Sequence, residues 1–111
     1  MFPRLEDIYK IIVIEDLRRG KIVGAGSLIV EKKFVRNLGI CGHIEDIVVD
    51  QTLRGKNLGR RIIDLLKALA QANNCYKVIL DCAERNVKFY EKCGFKVKEV
   101  EMAWYIPQPK L

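Results

Sequence analysis

The stretch that decides the fold is HIEDIVVDQTLRGKNLGRRIIDLLKALAQANNCYKVILDC, residues 43–82. It opens with HIEDIVVD at 43–50, which alternates at first and then runs continuously apolar at 47–49, and it closes with the strand-like CYKVILDC at 75–82. Between them, apolar residues recur at helical spacing, and Asn73 and Asn74 are expected to end the helix. The apolar face comprises Leu58, Ile62, Leu65, Leu66, Leu69 and Ala72. The stretch predicts a β–α–β unit whose two strands are buried on both faces and pair in parallel.

Upstream of this unit the sequence predicts a β-hairpin. The runs 8–16 and 22–34 are rich in apolar and β-branched residues, and the segment LRRGK at 17–21 supplies a glycine for a turn with positive φ. Gly24 and Gly26 interrupt the second run, which indicates a bulge or a close approach of another backbone.

Downstream, RNVKFYEKC at 85–93 predicts a short helix, and Gly94 suits the residue that follows its last turn. The segment FKVKEVEMAWYI at 95–106 alternates apolar and polar residues and predicts a last strand, with a bulge near Glu99. The order β-β-β-α-β-α-β predicts an α/β (α+β) fold, with a mixed sheet and two helices.

Length and composition predict a single domain spanning residues 1–111, since 50% of the residues are hydrophobic and 31% are charged. No apolar run approaches the ~18 residues of a membrane span, and the first residues lack the apolar core of a signal peptide. We therefore expect a cytoplasmic protein. The net charge of +6 favours an anionic partner, which composition leaves open among nucleic acid, a membrane surface and a phosphorylated metabolite.

The cysteine and histidine pattern does not suggest a metal site. The four cysteines (Cys41, Cys75, Cys82 and Cys93) form no C-x-x-C pair, and His43 is the single histidine. Reduced, mostly buried thiols are expected. We interpret His43 as structural, because its sequence neighbours offer no orienting carboxylate on the same side of the strand.

The segment LRGKNLGRRI at 53–62 combines two glycines with Arg54, Lys56, Arg60 and Arg61 at the predicted start of a helix. Free amide groups and the positive end of the helix dipole favour an anion at such a position. A solvated basic helix start is the alternative. Neither the Walker A loop nor the G-x-G-x-x-G dinucleotide fingerprint is present.

The sequence resembles known enzymes both in this loop and over most of its length. RGKNLG at 54–59 is similar to the [QR]-x-x-G-x-[GA] loop with which GNAT acetyltransferases hold the pyrophosphate of coenzyme A, with Asn57 where a middle glycine often stands. GHIEDIVV, CYKVILDC, NVKFYEKCGF and VEM, in this order, resemble the eukaryotic glucosamine 6-phosphate N-acetyltransferases over roughly residues 9 to 102. The resemblance implies a GNAT fold in which the strands 43–50 and 75–82 splay apart. The family's N-terminal strand and two helices have no counterpart here.

The resemblance also implies an activity. An acetyl group would pass from acetyl-CoA to the 2-amino group of glucosamine 6-phosphate, toward UDP-N-acetylglucosamine, by direct attack in a ternary complex without an acyl-enzyme. It implies a homodimer joined through the C-terminal strand. The residue pattern itself gives the further expectations of no metal, no nucleic acid and no membrane span. Tyr105 stands where the family has a basic residue that reaches the sugar phosphate.

Residue roles carry over from the same resemblance. The backbone at 47–49 would pair with the pantetheine arm, the amides at 55–60 would hold the pyrophosphate, and Tyr90 would lie near the thioester sulfur. The implied cofactor-binding residues are Ile47, Val48, Val49, Arg54, Gly55, Lys56, Asn57, Leu58, Gly59, Arg60, Asn86, Tyr90 and Lys92. The implied substrate-binding residues are Glu45, Asp46, Lys77, Asp81, Lys33 and Arg36. The implied catalytic residues are Tyr90, Asp81 and Glu45.

Three other functions stay open at this point. The chain could be a GNAT enzyme acting on another amine, such as a peptide or a polyamine, or an inactive CoA-binding protein. It could also be a basic nucleic-acid-binding module, which would favour exposed aromatic residues among the basic ones. Residues 51–75 contain no aromatic residue.

Overall fold

The computed structural model describes residues 9–33, 39–53 and 57–109. The described elements, in chain order, are strands β1 (Tyr9–Asp16), β2 (Lys21–Lys33) and β3 (Gly39–Val49), helix α1 (Leu58–Ala72), strand β4 (Cys75–Ile79) and helix α2 (Val87–Lys92). Short 3-10 turns precede each helix, at Gln51–Leu53 and Glu84–Asn86. The chain divides into two compact units, Met1–Leu80 and Asp81–Leu111. A single domain over 1–111 stays a prediction.

The first unit contains a mixed four-stranded sheet in the order β1-β2-β3-β4. The pairs β1–β2 and β2–β3 are antiparallel, and β3–β4 is parallel. The predicted mixed sheet with two helices and the predicted parallel pair are confirmed. The hairpin turn is also confirmed: Gly20 has φ 62°, and its amide donates to the Asp16 carbonyl at 2.8 Å.

Helix α1 packs on the sheet through Ile62, Ile63, Leu66 and Ala70, which are buried. The predicted apolar face was wrong in part, because Leu65 is 49% exposed and Ala72 is exposed, whereas Ile63 and Ala70 are buried. The face of α1 that contacts the sheet is centred on residues 62, 66 and 70, and it is therefore rotated about the helix axis relative to the predicted face. The helix ends as predicted, since the Asn73 amide donates to Leu69 and Ala70 carbonyls and Asn74 has φ 62°.

The two strands of the β–α–β unit are less buried than predicted. Val48 is 61% exposed, and Ile47 and Val49 are half-buried, so the run at 47–49 is not buried on both faces. In β4, Tyr76 and Ile79 are exposed. The physical reason is that β4 lies at the edge of the described sheet and pairs with only the first part of β3.

The predicted strand at 95–106 is wrong for the described residues. Residues 95–109 form neither strand nor helix, and the predicted bulge near Glu99 is absent with it. A strand requires a hydrogen-bonded neighbour, and the four described strands pair only among themselves. Phe95 is half-buried, and the other large apolar residues of this segment are exposed: Val97, Val100, Met102, Trp104, Tyr105 and Ile106.

Candidate active site

A bulge in β3 shapes the first part of the site. Ser27 pairs with Glu45 and Ala25 pairs with Val48, so two residues of β3 lie opposite the single residue Gly26. Asp46 adopts φ 55°, the left-handed conformation that Asp tolerates better than most residues. A Cβ on Gly26 would approach Ile47 Cδ1 and Ile62 Cγ2 to 2.7 Å each. The predicted bulge is confirmed at Gly26, although its extra residue lies in β3, and the atoms close to Gly26 belong to side chains and not to another backbone.

The parallel pairing of β3 with β4 stops early. The last pair is His43 with Ile79, although β3 continues to Val49. Beyond His43 the strand pairs on one side only, with β2. Among the described strands, the backbone edge from Ile44 to Val49 therefore has no paired neighbour. This agrees with the expectation that the strands at 43–50 and 75–82 separate. Edge amides and carbonyls of this kind can pair with an added extended chain.

The turn after β3 is fixed by Asp50. Its Oδ1 accepts hydrogen bonds from the Thr52 amide at 2.9 Å and the Thr52 hydroxyl at 2.7 Å, and its Oδ2 lies 3.1 Å from Lys21 Nζ. The Thr52 hydrogen bonds, joined by Lys21, lower the pKa of the Asp50 carboxyl from 3.8 to about 2. The exit from β3 toward α1 is thus anchored to the first residue of β2.

Helix α1 begins at Leu58, and the residue that caps its start, Asn57, has φ 57° and ψ 26°. Asn57 thus adopts the left-handed conformation expected of a residue in a glycine position. Its side chain makes no capping hydrogen bond, and its carbonyl accepts from the Arg61 amide at 3.0 Å. The amides of Leu58, Gly59 and Arg60 precede the first intrahelical donor and can point to an anion. The predicted Arg54, Gly55 and Lys56 lie outside the described residues.

The second unit holds Tyr90 on α2, half-buried between two aromatic neighbours. The ring centroids of Phe89 and Phe95 lie 5.0 and 6.2 Å from that of Tyr90, both edge to face. Burial, followed by the thiols of Cys82 and Cys93, raises the pKa of the Tyr90 phenol. The phenol therefore stays protonated at neutral pH and can donate a hydrogen bond.

The comparisons with known proteins agree with this geometry. The sequence model of the acetyltransferase (GNAT) family matches residues 3–95. The chain belongs to the GNAT acetyltransferase family. It is 59% identical to glucosamine 6-phosphate N-acetyltransferase 1 of Dictyostelium discoideum over 93% of its length, and 50% identical to glucosamine 6-phosphate N-acetyltransferase of Arabidopsis thaliana over 89%. It spans 66% of the length of each of these two relatives.

A solved structure gives the same result for the fold. The crystal structure of glucosamine-6-phosphate N-acetyltransferase from Arabidopsis thaliana superposes with a TM-score of 0.86 at 48% identity, covering 91% of this chain and 69% of that one. The GNAT fold predicted from the sequence is confirmed.

The other predicted residues of this GNAT chain are distributed over both units. In the first unit, Glu45 is exposed next to the bulge, and Lys77 is exposed on β4, where its Nζ lies 5.5 Å from the centre of the Tyr76 ring. Lys33 is the last residue of β2, and the structure describes its backbone but not its side chain. Arg36 lies outside the described residues. In the second unit, Asp81, Asn86 and Lys92 are exposed.

The interpretation of His43 needs a correction. Its Nε2 lies 2.7 Å from Glu31 Oε2, so an orienting carboxylate is present on the neighbouring strand. Sequence reasoning missed it because the two residues are 12 positions apart and meet only through the β2–β3 register. The buried Ser27, whose hydroxyl donates to the Glu45 carbonyl at 3.1 Å, was missed for the same reason. The signal that could have found it is a lone polar residue inside an apolar strand.

The four cysteines of the chain form no disulfide bond. All four cysteines are free; Cys41 and Cys93 are buried, Cys75 is half-buried and Cys82 is exposed, so fewer are buried than expected. Burial, followed by the neighbouring Cys41, raises the pKa of the Cys75 thiol, which keeps it protonated and weakly nucleophilic. Within the described ranges, no three potential ligands cluster as a metal site would require, and no helix is long and apolar enough to span a membrane.

Proposed function

We propose that this protein transfers the acetyl group of acetyl-CoA to the 2-amino group of glucosamine 6-phosphate. The observation that carries the proposal is the end of the parallel pairing at His43 and Ile79, which leaves the rest of the β3 edge open among the described strands. The names of relatives up to 59% identical support the same acceptor.

Acetyl-CoA fits the two backbone features of the first unit. The open edge at Ile47–Val49 can receive the pantetheine amides as an added strand, with its own amides and carbonyls as partners. The start of α1 after the left-handed Asn57 presents the amides of Leu58, Gly59 and Arg60 to the pyrophosphate. Arg54, Gly55 and Lys56 complete the proposed loop, and Asn86 and Lys92 are proposed as further contacts from the second unit.

The amino sugar is assigned to charged residues. The carboxylates of Glu45, Asp46 and Asp81 can accept hydrogen bonds from sugar hydroxyls and attract the ammonium form of the acceptor. Lys77, Lys33 and Arg36 supply positive charge for the 6-phosphate. These assignments follow the resemblance.

The proposed reaction is a direct transfer. The neutral amine nitrogen bonds to the acetyl carbon, the carbon–sulfur bond breaks, and the electron pair leaves on sulfur. Tyr90 donates its phenolic proton to that thiolate, which gives free CoA thiol, and the proton that the nitrogen loses as the amide forms passes through solvent to the Tyr90 phenolate. Glu45 and Asp81 are the proposed catalytic carboxylates that receive protons from the ammonium.

The test is calorimetry with acetyl-CoA, followed by release of free thiol with a panel of acceptors. We expect heat of binding for acetyl-CoA and turnover with glucosamine 6-phosphate, and far less with glucosamine, spermidine or a lysine peptide. Turnover of a polyamine or peptide, with none for glucosamine 6-phosphate, would overturn the acceptor. Binding of acetyl-CoA without turnover of any acceptor would indicate an inactive relative, and salt-sensitive oligonucleotide binding without heat for CoA would favour the nucleic-acid module.

We further propose that two chains associate through the segment after α2. Met102 and Trp104 are 92% and 82% exposed, which is unusual for large apolar side chains that follow one another with a period of two. A second copy offering the same segment would bury both sets of side chains in a two-fold interface.

A further inference from the structure

Ser27 occupies an unusual position for a hydroxyl group. It is only 4% exposed, and no other polar or charged residue among those described is buried to this degree. Its hydroxyl donates to the Glu45 carbonyl at 3.1 Å. The other buried side chains of the strand are apolar: Val23, Leu28 and Val30. Ser27 is thus the buried position of β2 that carries a hydroxyl.

The acceptor of this hydrogen bond lies at the start of the β3 bulge. Ser27 pairs with Glu45, and the register shifts directly beyond this pair, at Gly26 in β2 and Asp46 in β3. Asp46, directly after the acceptor carbonyl, has φ 55°. The hydrogen bond therefore holds the peptide group between Glu45 and Asp46, where the regular pairing of β3 with β2 is interrupted. Without it, a register without the bulge becomes easier to adopt, and that register would place every later residue of β3 on the opposite face.

We propose that Ser27 is a positioning residue for acetyl transfer, which fixes the bulge at Asp46 and thereby orients Glu45 and the open edge at Ile47–Val49. The inference rests on the proposed function, because those residues are the ones assigned to the amino sugar and to acetyl-CoA. Ser27 acts through the Glu45 carbonyl and does not contact either substrate.

A neighbouring hydroxyl provides the matched control. Tyr9 donates to Ser27 Oγ at 3.4 Å, near the outer limit for a hydrogen bond. Tyr9→Phe removes this contact and leaves the Ser27–Glu45 bond, whereas Ser27→Ala removes both. Ser27→Thr keeps the hydroxyl and serves as the conservative variant.

The experiment compares kcat, the KM for each substrate and the midpoint of urea unfolding for the three variants. We expect Ser27→Ala to lower kcat about tenfold, the scale of one hydrogen bond, with a much smaller change in the unfolding midpoint. Ser27→Thr should restore kcat to within about threefold of the wild type, and Tyr9→Phe should leave it unchanged. A kcat for Ser27→Ala within about twofold of the wild type would overturn the proposal.

A second readout separates this proposal from the proposed function. Amide NMR shifts of Glu45, Asp46 and Ile47 report the bulge without any turnover. If the wild type does not acetylate glucosamine 6-phosphate, the proposed function fails, and the role of Ser27 is decided by these shifts. Changes confined to the bulge in Ser27→Ala, absent in Tyr9→Phe, support the positioning role, and an unchanged bulge overturns it.

Discussion

Gly26 and Ile47 lie so close across the β2–β3 pair that a Cβ on Gly26 would stand 2.7 Å from Ile47 Cδ1. The same Cβ would meet Ile62 Cγ2 at 2.7 Å and Leu66 Cδ1 at 3.0 Å. The absent side chain thus lets the bulge of β3 and helix α1 approach the same point of β2.

We expect Gly26→Ala to lower the free energy of unfolding by about 1–3 kcal/mol, the range for overpacking a core. Denaturant unfolding measures this. Gly20→Asn is the control, because a Cβ at Gly20 would meet nothing within 4 Å and Asn tolerates its φ of 62°. A Gly26→Ala variant as stable as the wild type would mean that the sheet and helix separate at little cost.

The left-handed Asn57 leads to a prediction for coenzyme binding. Asn57→Val should weaken the affinity for acetyl-CoA about tenfold. A β-branched residue at φ 57° costs about 1–2 kcal/mol, and relief of this strain would displace the start of α1. Asn57→Gly should bind as the wild type does. Calorimetry is the measurement.

Asn74→Val is the control for that experiment. Asn74 has φ 62° and lies at the opposite end of α1, so its replacement should reduce stability without changing the affinity for acetyl-CoA. Equal losses of affinity in both valine variants would show that general destabilisation, and not the loop, controls binding.

Tyr90→Phe tests the proton donor. We expect kcat to fall by about 10²–10⁴-fold, the range for a general acid, with the KM for acetyl-CoA little changed. Because burial raises the pKa of Tyr90, the decline in the wild-type rate from ionisation of this phenol should begin at a higher pH than for an ordinary phenol. Tyr76→Phe, on the exposed β4, is the control and should keep full activity. An unchanged rate for Tyr90→Phe would exclude this phenol as the donor.

The Asp50 carboxyl gives a pH dependence of stability. Its pKa in the fold is about 2 against 3.8 for the ordinary group, so the folded state binds this proton less tightly than the unfolded chain. Asp50 therefore stabilises the fold above about pH 4, and this contribution disappears as the pH falls from about 4 to about 2. In urea unfolding across this window, Asp50→Asn should show a shallower loss of stability than the wild type.

Asp64→Asn provides the comparison for Asp50. Its carboxylate lies 4.0 Å from Arg60 Nε, and both side chains are exposed, so we expect little change in stability. Parallel acid profiles for the wild type and Asp50→Asn would contradict the role given to Thr52 and Lys21.

The proposed association predicts a dimer by light scattering at micromolar concentration. Met102→Glu should produce a monomer, because a charge would replace an apolar side chain at the centre of the segment. Ala103→Glu adds the same charge to an adjacent exposed residue of opposite parity and should leave the dimer intact. A wild-type protein that is monomeric at this concentration would contradict the proposal.

Features that depend on local backbone geometry were predictable from the sequence. Gly20 and Asn57 both adopt the positive φ that their residue types suggested, and the β–α–β unit pairs in parallel as its connection requires. Contacts that depend on strand register were not predictable. His43 meets Glu31, and Ser27 meets Glu45, only because the β2–β3 pairing brings residues 12 and 18 positions apart together. The segment 95–106 alternates like a strand, but alternation does not supply the neighbour that a strand needs.

The open edge of β3 has a consequence for solubility. A bare, flat strand edge is a place where other chains add and aggregation begins. Between His43 and Val49, β3 carries two carboxylates, Glu45 and Asp46. The positive φ of Asp46 and the bulge also make this part of β3 irregular, so a straight strand would pair with it poorly. The carboxylates assigned to the amino sugar would thus also disfavour pairing of this edge with a second strand, so replacing them with neutral residues should lower solubility as well as the proposed activity.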